Sequence, residues 1–303
     1  MKVRLDCPVN FLESSELKEI LTKRGLQIDQ SDPDIVVVNP GTNRFLNEAY
    51  FSTFENLKYV VSPSTGTNHI DLNFLNVRGI KVFCLLDDKE SLRNIHASAE
   101  FTWVHIMNLQ RKFIHATQSV DLWRSDENEL ALRSNELFGK KIGIVGMGRI
   151  GNKVSKYAKS FGLDVLFYDP YVFNSETESV RVNCITDLSM CDIISINCSL
   201  NKDTKNMINF GVWDNIREGT IIVNTSRGEV VNEDYIIHLI DKNKIMFGAD
   251  VLQNEQDIDS LKQSPIYKMS KVSNRIVLTP HVAGATKESQ TKALVTVLDL
   301  IKQ

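Results

Sequence analysis

Residues 140–161 read KKIGIVGMGRIGNKVSKYAKSF, and their pattern is the clearest structural signal in the chain. The run IGIV is typical of a buried strand, and Gly146, Gly148 and Gly151 follow it at once. One face of the predicted helix beyond them carries Ile150, Val154, Tyr157, Ala158 and Phe161. The next apolar run, VLFYD, ends in Asp169. A strand, a glycine loop, a helix, a strand and an acid in this order predict a dinucleotide site.

Each glycine of this loop has a predicted role. Gly146 permits a tight turn, Gly148 lets the backbone approach a pyrophosphate, and Gly151 lets helix and strand pack closely. The helix N-terminus offers N–H groups and a partial positive charge to the phosphates. A carboxylate at Asp169 accepts hydrogen bonds from ribose hydroxyls and repels a 2′-phosphate, which favours NAD over NADP. The alternative is a structural turn without a ligand.

On both sides of this loop, apolar runs alternate with helix-compatible segments. The apolar runs before the loop are KVRLD, DIVVV, LKYVV and IKVFC. Those after IGIV and VLFYD are CDIISINC, GTIIVNT, IMFGADV and RIVLTP. This alternation predicts an α/β fold with parallel sheets and helices on their faces. Residues 97–115 have the spacing of one long packed helix joining two such series. The tail, 286–301, places apolar residues on one helical face, so we expect it to dock on a domain.

Length and composition limit the classes of protein. The 303 residues suffice for two domains, and 42% hydrophobic residues with a net charge of −3 are ordinary for a soluble globular protein. These values do not indicate a nucleic-acid partner. The N-terminus, MKVRLDCPVN, lacks an apolar signal core, and no run of about 18 apolar residues occurs. We therefore expect a cytoplasmic protein without a membrane partner.

The cysteines give a consistent indication. They are odd in number and contain no CxxC pair, and three fall in or near apolar runs. The five positions are Cys7, Cys84, Cys184, Cys191 and Cys198. We interpret them as reduced core thiols, because a free cysteine usually behaves as a small buried hydrophobic residue. Neither a disulfide nor a metal site is expected.

Two polar residues follow predicted strands of the second series. Arg227 lies in NTSRGEVVNEDYI, after the run GTIIVNT. Ligands bind at this edge of open α/β sheets, although an arginine there can equally form a surface salt bridge. His281 lies in TPHVAGAT, after RIVL, where it is either an acid–base catalyst or a polar residue at a strand end.

Four segments in order, LFGKKIGIVGMGRIG, NTSRGEVVNED, GADVLQNE and TPHVAGAT, resemble the D-isomer-specific 2-hydroxyacid dehydrogenases. STGTNHIDL resembles the substrate loop of that family, and SAEFTW resembles its interdomain helix. The resemblance implies a discontinuous, flavodoxin-like substrate domain, residues 1–95 and 285–303. It also implies a Rossmann NAD-binding domain, residues 96–284, and a homodimer that forms through this domain.

The resemblance also implies a catalytic set. Arg227 would bind the substrate carboxylate through a bidentate pair and polarise the keto oxygen. Glu255 would hydrogen-bond the imidazole of His281 and favour its protonated form. His281 would exchange a proton with the substrate oxygen while hydride moves to or from the nicotinamide. The expected reaction interconverts a D-2-hydroxy acid and its 2-keto acid.

Further site residues are implied by matching positions. The cofactor set is Gly146, Gly148, Arg149, Ile150, Gly151, Asp169, Cys198, Thr204, Thr225, Asp250 and Gly284. Thr65 and Gly66 would offer backbone N–H groups to the substrate carboxylate. Arg93, with Lys89 close by, would bring positive charge from a second substrate segment.

The chain departs from the family pattern at three places. Gln256 and Asn201 stand where prolines are usual, and Ser62-Pro63-Ser64 stands where phosphoglycerate dehydrogenases tend to carry an arginine. The last departure weakens a phosphoglycerate dehydrogenase-like activity, which is nevertheless the leading named candidate. The alternative is an NADH-sensing, corepressor-like binding protein of the same fold, and turnover of 2-keto acids distinguishes the two.

Overall fold

The computed structural model describes residues 1–6, 14–38, 45–67 and 69–301. The chain divides into two units, Met1–Ile95 with Ala285–Gln303, and His96–Gly284. Across the described residues, every helix is too short or too polar to cross a bilayer.

The first unit contains a five-stranded parallel sheet with helices in the connections. Its elements before residue 96 are β1 (Lys2–Leu5), α1 (Ser14–Thr22), β2 (Gln27–Ile28), β3 (Ile35–Val37), α2 (Glu48–Phe51), β4 (Tyr59–Ser62), α3 (Leu72–Val77), β5 (Lys81–Cys84) and α4 (Lys89–Arg93). The strand order is β2-β1-β3-β4-β5, and all pairs are parallel. This is the flavodoxin-like doubly wound order.

The second unit is built around a seven-stranded parallel sheet. Its elements are α5 (Ala97–Arg111), α6 (Phe113–Gln118), α7 (Asp126–Leu132), β6 (Lys141–Val145), α8 (Arg149–Ser160), β7 (Asp164–Tyr168), β8 (Val180–Arg181), β9 (Ile193–Ile196), β10 (Thr220–Asn224), α9 (Glu233–Asp241), β11 (Ile245–Ala249), α10 (Ile258–Gln263), α11 (Pro265–Ser270) and β12 (Ile276–Leu278). The order β12-β11-β10-β9-β6-β7-β8 reverses direction between β6 and β9. This is the Rossmann order, whose ligands bind at that switch point.

The last helix, α12 (Lys287–Leu300), belongs to the first unit. Its buried face contributes Leu294, Val297 and Leu298 to the same apolar cluster as Val61. Burying each such side chain contributes roughly 1.5–3 kcal/mol, so the packing secures the helix. A bidentate ion pair adds to it, because the Arg24 guanidinium donates to both Asp299 carboxylate oxygens, at 2.8 and 2.7 Å.

The predicted α/β fold class, with two doubly wound domains, is confirmed. The prediction of one helix over 97–115 is wrong at its end, because α5 stops at Arg111. Lys112 is left-handed, with φ of 52°, and the Asn108 side chain accepts a hydrogen bond from the Ile114 N–H. This local bond offers the backbone an alternative to a continued helix. Phe113 is consequently 64% exposed instead of packed.

The cysteine prediction holds only in part. Cys191 is buried, whereas Cys184 is exposed, because it stands at the start of a 3-10 turn and not within a strand. Cys7 lies outside the described residues. Trp123 is 77% exposed in the turn after α6. Within the described parts of the chain, no group of three metal-ligating side chains is found.

Candidate functional site

The glycine loop joins β6 to α8 and uses its three glycines differently. Gly146 has a φ of 90°, and a Cβ there would lie 2.9 Å from the Cys198 backbone. A Cβ on Gly151 would lie 2.2 Å from the Gly146 carbonyl oxygen, so packing excludes any side chain. Gly148 is the N-cap of α8, and a Cβ there would meet no atom within 4 Å. The loop is therefore close-packed on one side and open at Gly148.

Asp169 connects this loop to the segment after β7. Its carboxylate accepts hydrogen bonds from the N–H groups of Met147, at 2.9 Å, and of Tyr171, at 2.8 Å, and the residue is 9% exposed. The Val172 N–H also donates to it, at 3.1 Å. A carboxylate has about four acceptor positions, so capacity remains for a ribose hydroxyl. The open backbone at Gly148, the helix N-terminus and this carboxylate are the parts that a dinucleotide requires, and the residues fit NAD.

The loop after β9 contains two more of the predicted cofactor residues. The Thr204 hydroxyl donates to the Ser199 carbonyl at 2.7 Å and accepts from the Asn201 N–H at 2.8 Å. The Asn201 side chain accepts from the N–H of Thr204, which builds a turn where the family has proline. Burial raises the pKa of the Cys198 thiol to about 11, so it is neutral near pH 7. Their contacts with a cofactor stay predictions.

Arg227 follows β10 on a segment held by the buried Asn224. The Asn224 amide donates to the Arg227 carbonyl at 2.9 Å, and its oxygen accepts from the Ser226 N–H at 3.0 Å. A Cβ on the neighbouring Gly228 would lie 2.1 Å from the Leu252 carbonyl carbon. The close backbone approach that glycine permits here brings the Arg227 segment against the loop that leads to Glu255.

Glu255 and His281 are in direct contact. Glu255 Oε1 lies 2.6 Å from His281 Nδ1, and Glu255 Oε2 accepts from the Leu252 N–H at 3.2 Å. The hydrogen bond to Glu255 raises the pKa of His281, while partial burial and the charge of Arg227 oppose this effect. The His281 side chain is 50% exposed. The arrangement favours a protonated imidazole whose Nε2 is left to exchange a proton.

Asp250 supports the turn that carries His281. Its backbone carbonyl accepts from the His281 N–H at 2.9 Å. Its carboxylate accepts from the N–H groups of Val282, at 3.0 Å, and Ala283, at 2.7 Å. Asp250 is 1% exposed, so these bonds are shielded from water. We predicted it as a cofactor residue, and the contacts that its carboxylate makes are to the turn.

The remaining predicted residues belong to both units. Thr225 is buried, with its hydroxyl 2.6 Å from that of Thr102, and Gly284 is the last residue of the second unit. Thr65 and Gly66 follow β4 in the first unit, where the Ser64 hydroxyl donates to the Gly66 carbonyl at 2.8 Å. Arg93 ends α4 and lies 3.5 Å from Glu90 in an exposed ion pair.

Three residues that shape this site were not predicted from the sequence. Asn224 orients the Arg227 segment, and Thr279 and His105 lie behind Asp250. The one available signal for His105 was a histidine on the packed face of α5. Thr279 offered a hydroxyl directly before Pro280, which by itself is typical of an ordinary turn.

Residues 103–283 match the family model described as "D-isomer specific 2-hydroxyacid dehydrogenase, NAD binding domain". A D-3-phosphoglycerate dehydrogenase of Haemophilus influenzae is 34% identical over 227 residues, 74% of this chain and 53% of that protein. A hydroxypyruvate reductase of Thermotoga maritima is 28% identical over 301 residues, 99% of this chain and 91% of that protein. The chain spans about half the length of the phosphoglycerate dehydrogenases it matches.

A solved structure has the same fold. The D-lactate dehydrogenase of Aquifex aeolicus superposes with a TM-score of 0.79 at 24% identity, covering 100% of this chain and 94% of that one. The chain belongs to the D-isomer-specific 2-hydroxyacid dehydrogenase family, and the part that matches the NAD-binding domain of that family lies within its second unit. The predicted family and the predicted cofactor are thereby confirmed.

Proposed function

We propose that this protein is an NAD-dependent oxidoreductase that interconverts a D-2-hydroxy acid and its 2-keto acid. The observation that carries the proposal is the 2.6 Å contact between Glu255 and His281, in the same unit as the glycine loop. A histidine held by a carboxylate and half exposed to solvent is suited to general acid–base work. A purely structural histidine at a strand end needs no such partner.

In the proposed mechanism, each residue acts on one part of the substrate. Arg227 binds the carboxylate group and places positive charge near the keto oxygen. In reduction, His281 Nε2 gives a proton to this oxygen, and in oxidation it takes the proton back from the hydroxyl. Glu255 holds the ring and stabilises the imidazolium form. NAD, when bound along Gly148 and Asp169, supplies or accepts the hydride.

The experiment is NADH oxidation by the purified chain across a panel of 2-keto acids, compared with His281→Ala. Removing a general acid costs roughly a hundredfold to ten-thousandfold in rate, so we expect kcat to fall by at least a hundredfold. His238→Ala is the matched control, because His238 is exposed on α9. Tight NADH binding with no turnover above the His281→Ala level would refute the proposed enzymatic activity and favour the NADH-sensing alternative.

The panel should include hydroxypyruvate and phosphohydroxypyruvate. The hydroxypyruvate reductase relative matches over most of its own length, which supports the first compound. Ser62-Pro63-Ser64 stands where phosphoglycerate dehydrogenases tend to carry an arginine, which argues against the second compound, while Arg93 and Lys89 supply positive charge elsewhere in the first unit. We expect hydroxypyruvate to be the better substrate, and a kcat/KM at least tenfold higher for the phosphorylated compound would reverse that choice.

A homodimer and a cytoplasmic location complete the proposal. Phe113, Trp123 and Phe138 are 64%, 77% and 80% exposed in one stretch of the second unit, and such apolar residues are typical of a protein interface. The cysteines in the described part of the chain are thiols, which suits a reducing compartment. Sedimentation analysis should give a dimer, and Trp123→Lys should weaken it.

A further inference from the structure

The backbone of His281 has an unusual conformation. Its φ is 53°, in the left-handed region, which a residue with a Cβ adopts at a cost of roughly 1–2 kcal/mol. Residues persist in such conformations when the surrounding structure holds them there. The hydrogen bonds from the turn to Asp250 do this directly, so the groups that hold Asp250 also matter for His281.

A partly buried hydrogen-bond chain lies behind Asp250. The Thr279 hydroxyl is 2.5 Å from Asp250 Oδ1 and 3.0 Å from Nε2 of His105. A hydroxyl has one proton, and only the hydroxyl can donate to a carboxylate. The Thr279 proton therefore points to Asp250, and the Thr279 oxygen must accept from His105 Nε2–H.

This chain fixes the state of the His105 ring. Nε2 carries the proton, and Nδ1 is buried without a hydrogen-bond partner among the described residues. A Cβ on Gly248 would lie 3.0 Å from Nδ1, so this nitrogen faces the backbone of β11. His105 is 2% exposed, and burial lowers its pKa although the charge of Asp250 opposes this. The ring is a neutral donor.

We propose that His105 and Thr279 are positioning residues that, through Asp250, fix the left-handed turn presenting His281 to Glu255. With His105 donating to its oxygen, the Thr279 hydroxyl has one orientation, and the Asp250 carboxylate is held in place to accept from the turn. The charged groups around His281 are Glu255, Arg227 and Asp250, and only Asp250 is reached by this chain. The kinetic test of the inference rests on the proposed activity of His281.

The experiment compares Thr279→Val, which keeps the shape without the hydroxyl, with Thr279→Ser, which keeps the hydroxyl. Loss of one hydrogen bond to a charged group corresponds to a change of about tenfold or more. We expect kcat of Thr279→Val to fall about tenfold with the KM for NADH within about twofold, and Thr279→Ser to retain most of kcat. His105→Leu should lower kcat less, and His105→Gln, whose amide can donate from the same place, should restore it.

Histidine ¹⁵N NMR supplies a readout independent of turnover. In the wild type, His105 should show a proton on Nε2 and none on Nδ1, and the His281 titration midpoint should move in Thr279→Val but not in Thr279→Ser. An Nδ1–H tautomer of His105 would overturn the inference. So would a folded Thr279→Val with unchanged kcat and unchanged His281 titration. A wild-type protein without turnover would contradict the proposed function. The NMR result would still test the positioning role of His105 and Thr279.

Discussion

Two loops of the second unit hold left-handed backbone by opposite means. In the glycine loop, Gly146 has a φ of 90°, and the absence of a side chain makes this conformation inexpensive. In the turn after β12, His281 has a φ of 53° and keeps its side chain. Here hydrogen bonds to Asp250 hold the backbone. The backbone conformation of the first loop is determined by residue type, and that of the second by its hydrogen-bond partners.

The difference corresponds to what each loop does. A phosphate-binding loop needs backbone N–H groups within reach, so side chains are an obstacle. An acid–base turn needs a particular side chain at a fixed angle, so glycine cannot serve. The conformational cost of His281 must then be met by the Asp250 network. We expect the first loop to be sensitive to added atoms and the second to lost hydrogen bonds.

The largest expected effect comes from removing the acceptor of that network. Asp250→Ala leaves the N–H groups of Val282 and Ala283 and the Thr279 hydroxyl without their buried partner. We expect the free energy of unfolding to fall by about 4 kcal/mol. Denaturant unfolding measures it, with the exposed Asp241→Ala as control, which should change stability by less than about 0.5 kcal/mol. Equal effects for both variants would contradict the network.

Two glycine substitutions separate packing from ligand access in the other loop. Gly151→Ala pushes a Cβ against the Gly146 carbonyl and should cost about 3 kcal/mol of stability. Gly148→Ala meets open space at an ordinary φ of −76°, so the fold should be unchanged. NADH binding should nevertheless weaken about tenfold or more, because the Cβ occupies the path of the pyrophosphate. Fluorescence titration and thermal unfolding of both variants check this. An unaltered NADH affinity in folded Gly148→Ala would contradict the assignment of this loop as the pyrophosphate site.

A smaller effect depends on pH and on a buried histidine of the first unit. Neither ring nitrogen of His69 has a partner among the described residues, and burial lowers its pKa from 6.5 to about 4. The unfolded chain takes up this proton first as the pH falls, so stability is lost between pH 6.5 and 4, by about 2 kcal/mol at pH 5. Denaturant unfolding at pH 7.5 and 5 should show this loss, and His69→Gln should remove most of it. An identical loss in the variant would exclude His69 as its source.

The smallest effect sharpens the contrast between the two loops. Burial also lowers the pKa of His105, which lies behind the His281 turn. The unfolded chain therefore takes up this proton first as the pH falls, and acid lowers the stability of the folded chain as it does through His69. The glycine loop contains no group that titrates in this range. In a His69→Gln background, His105→Gln should further reduce the acid-induced loss of stability measured by denaturant unfolding. If NADH affinity followed the same pH dependence as this loss, the two loops would not be independent.

The same contrast explains how far the sequence could be interpreted. The residue type and spacing of Gly146, Gly148 and Gly151 predict the dinucleotide-binding loop. The order of apolar runs predicts both parallel sheets. The position of His281 in the family pattern also indicates Glu255 and Arg227. The roles of Thr279 and His105 depend on a contact between α5 and the segment after β12, and on the direction of the Thr279 hydroxyl proton. Spacing along the chain does not encode this contact.

The end of α5 shows a second limit. Apolar spacing continues through Phe113 and Ile114, but a single side chain, Asn108, takes the Ile114 N–H and the helix stops. Here one local hydrogen bond ends a helix that the apolar periodicity predicts to continue. Phe113 and Ile114, which follow, are exposed to solvent instead of packed.

The pH dependence of NADH-driven reduction in wild type and Glu255→Gln tests the central claim most directly. The hydrogen bond to Glu255 raises the pKa of His281, so its protonated, proton-donating form persists to higher pH than in a free imidazole. We predict that kcat falls with rising pH about a midpoint above 6.5, and that Glu255→Gln moves this midpoint downward and lowers kcat. An unchanged midpoint in a folded, NADH-binding Glu255→Gln would contradict the assignment of His281 and Glu255 as an acid–base pair.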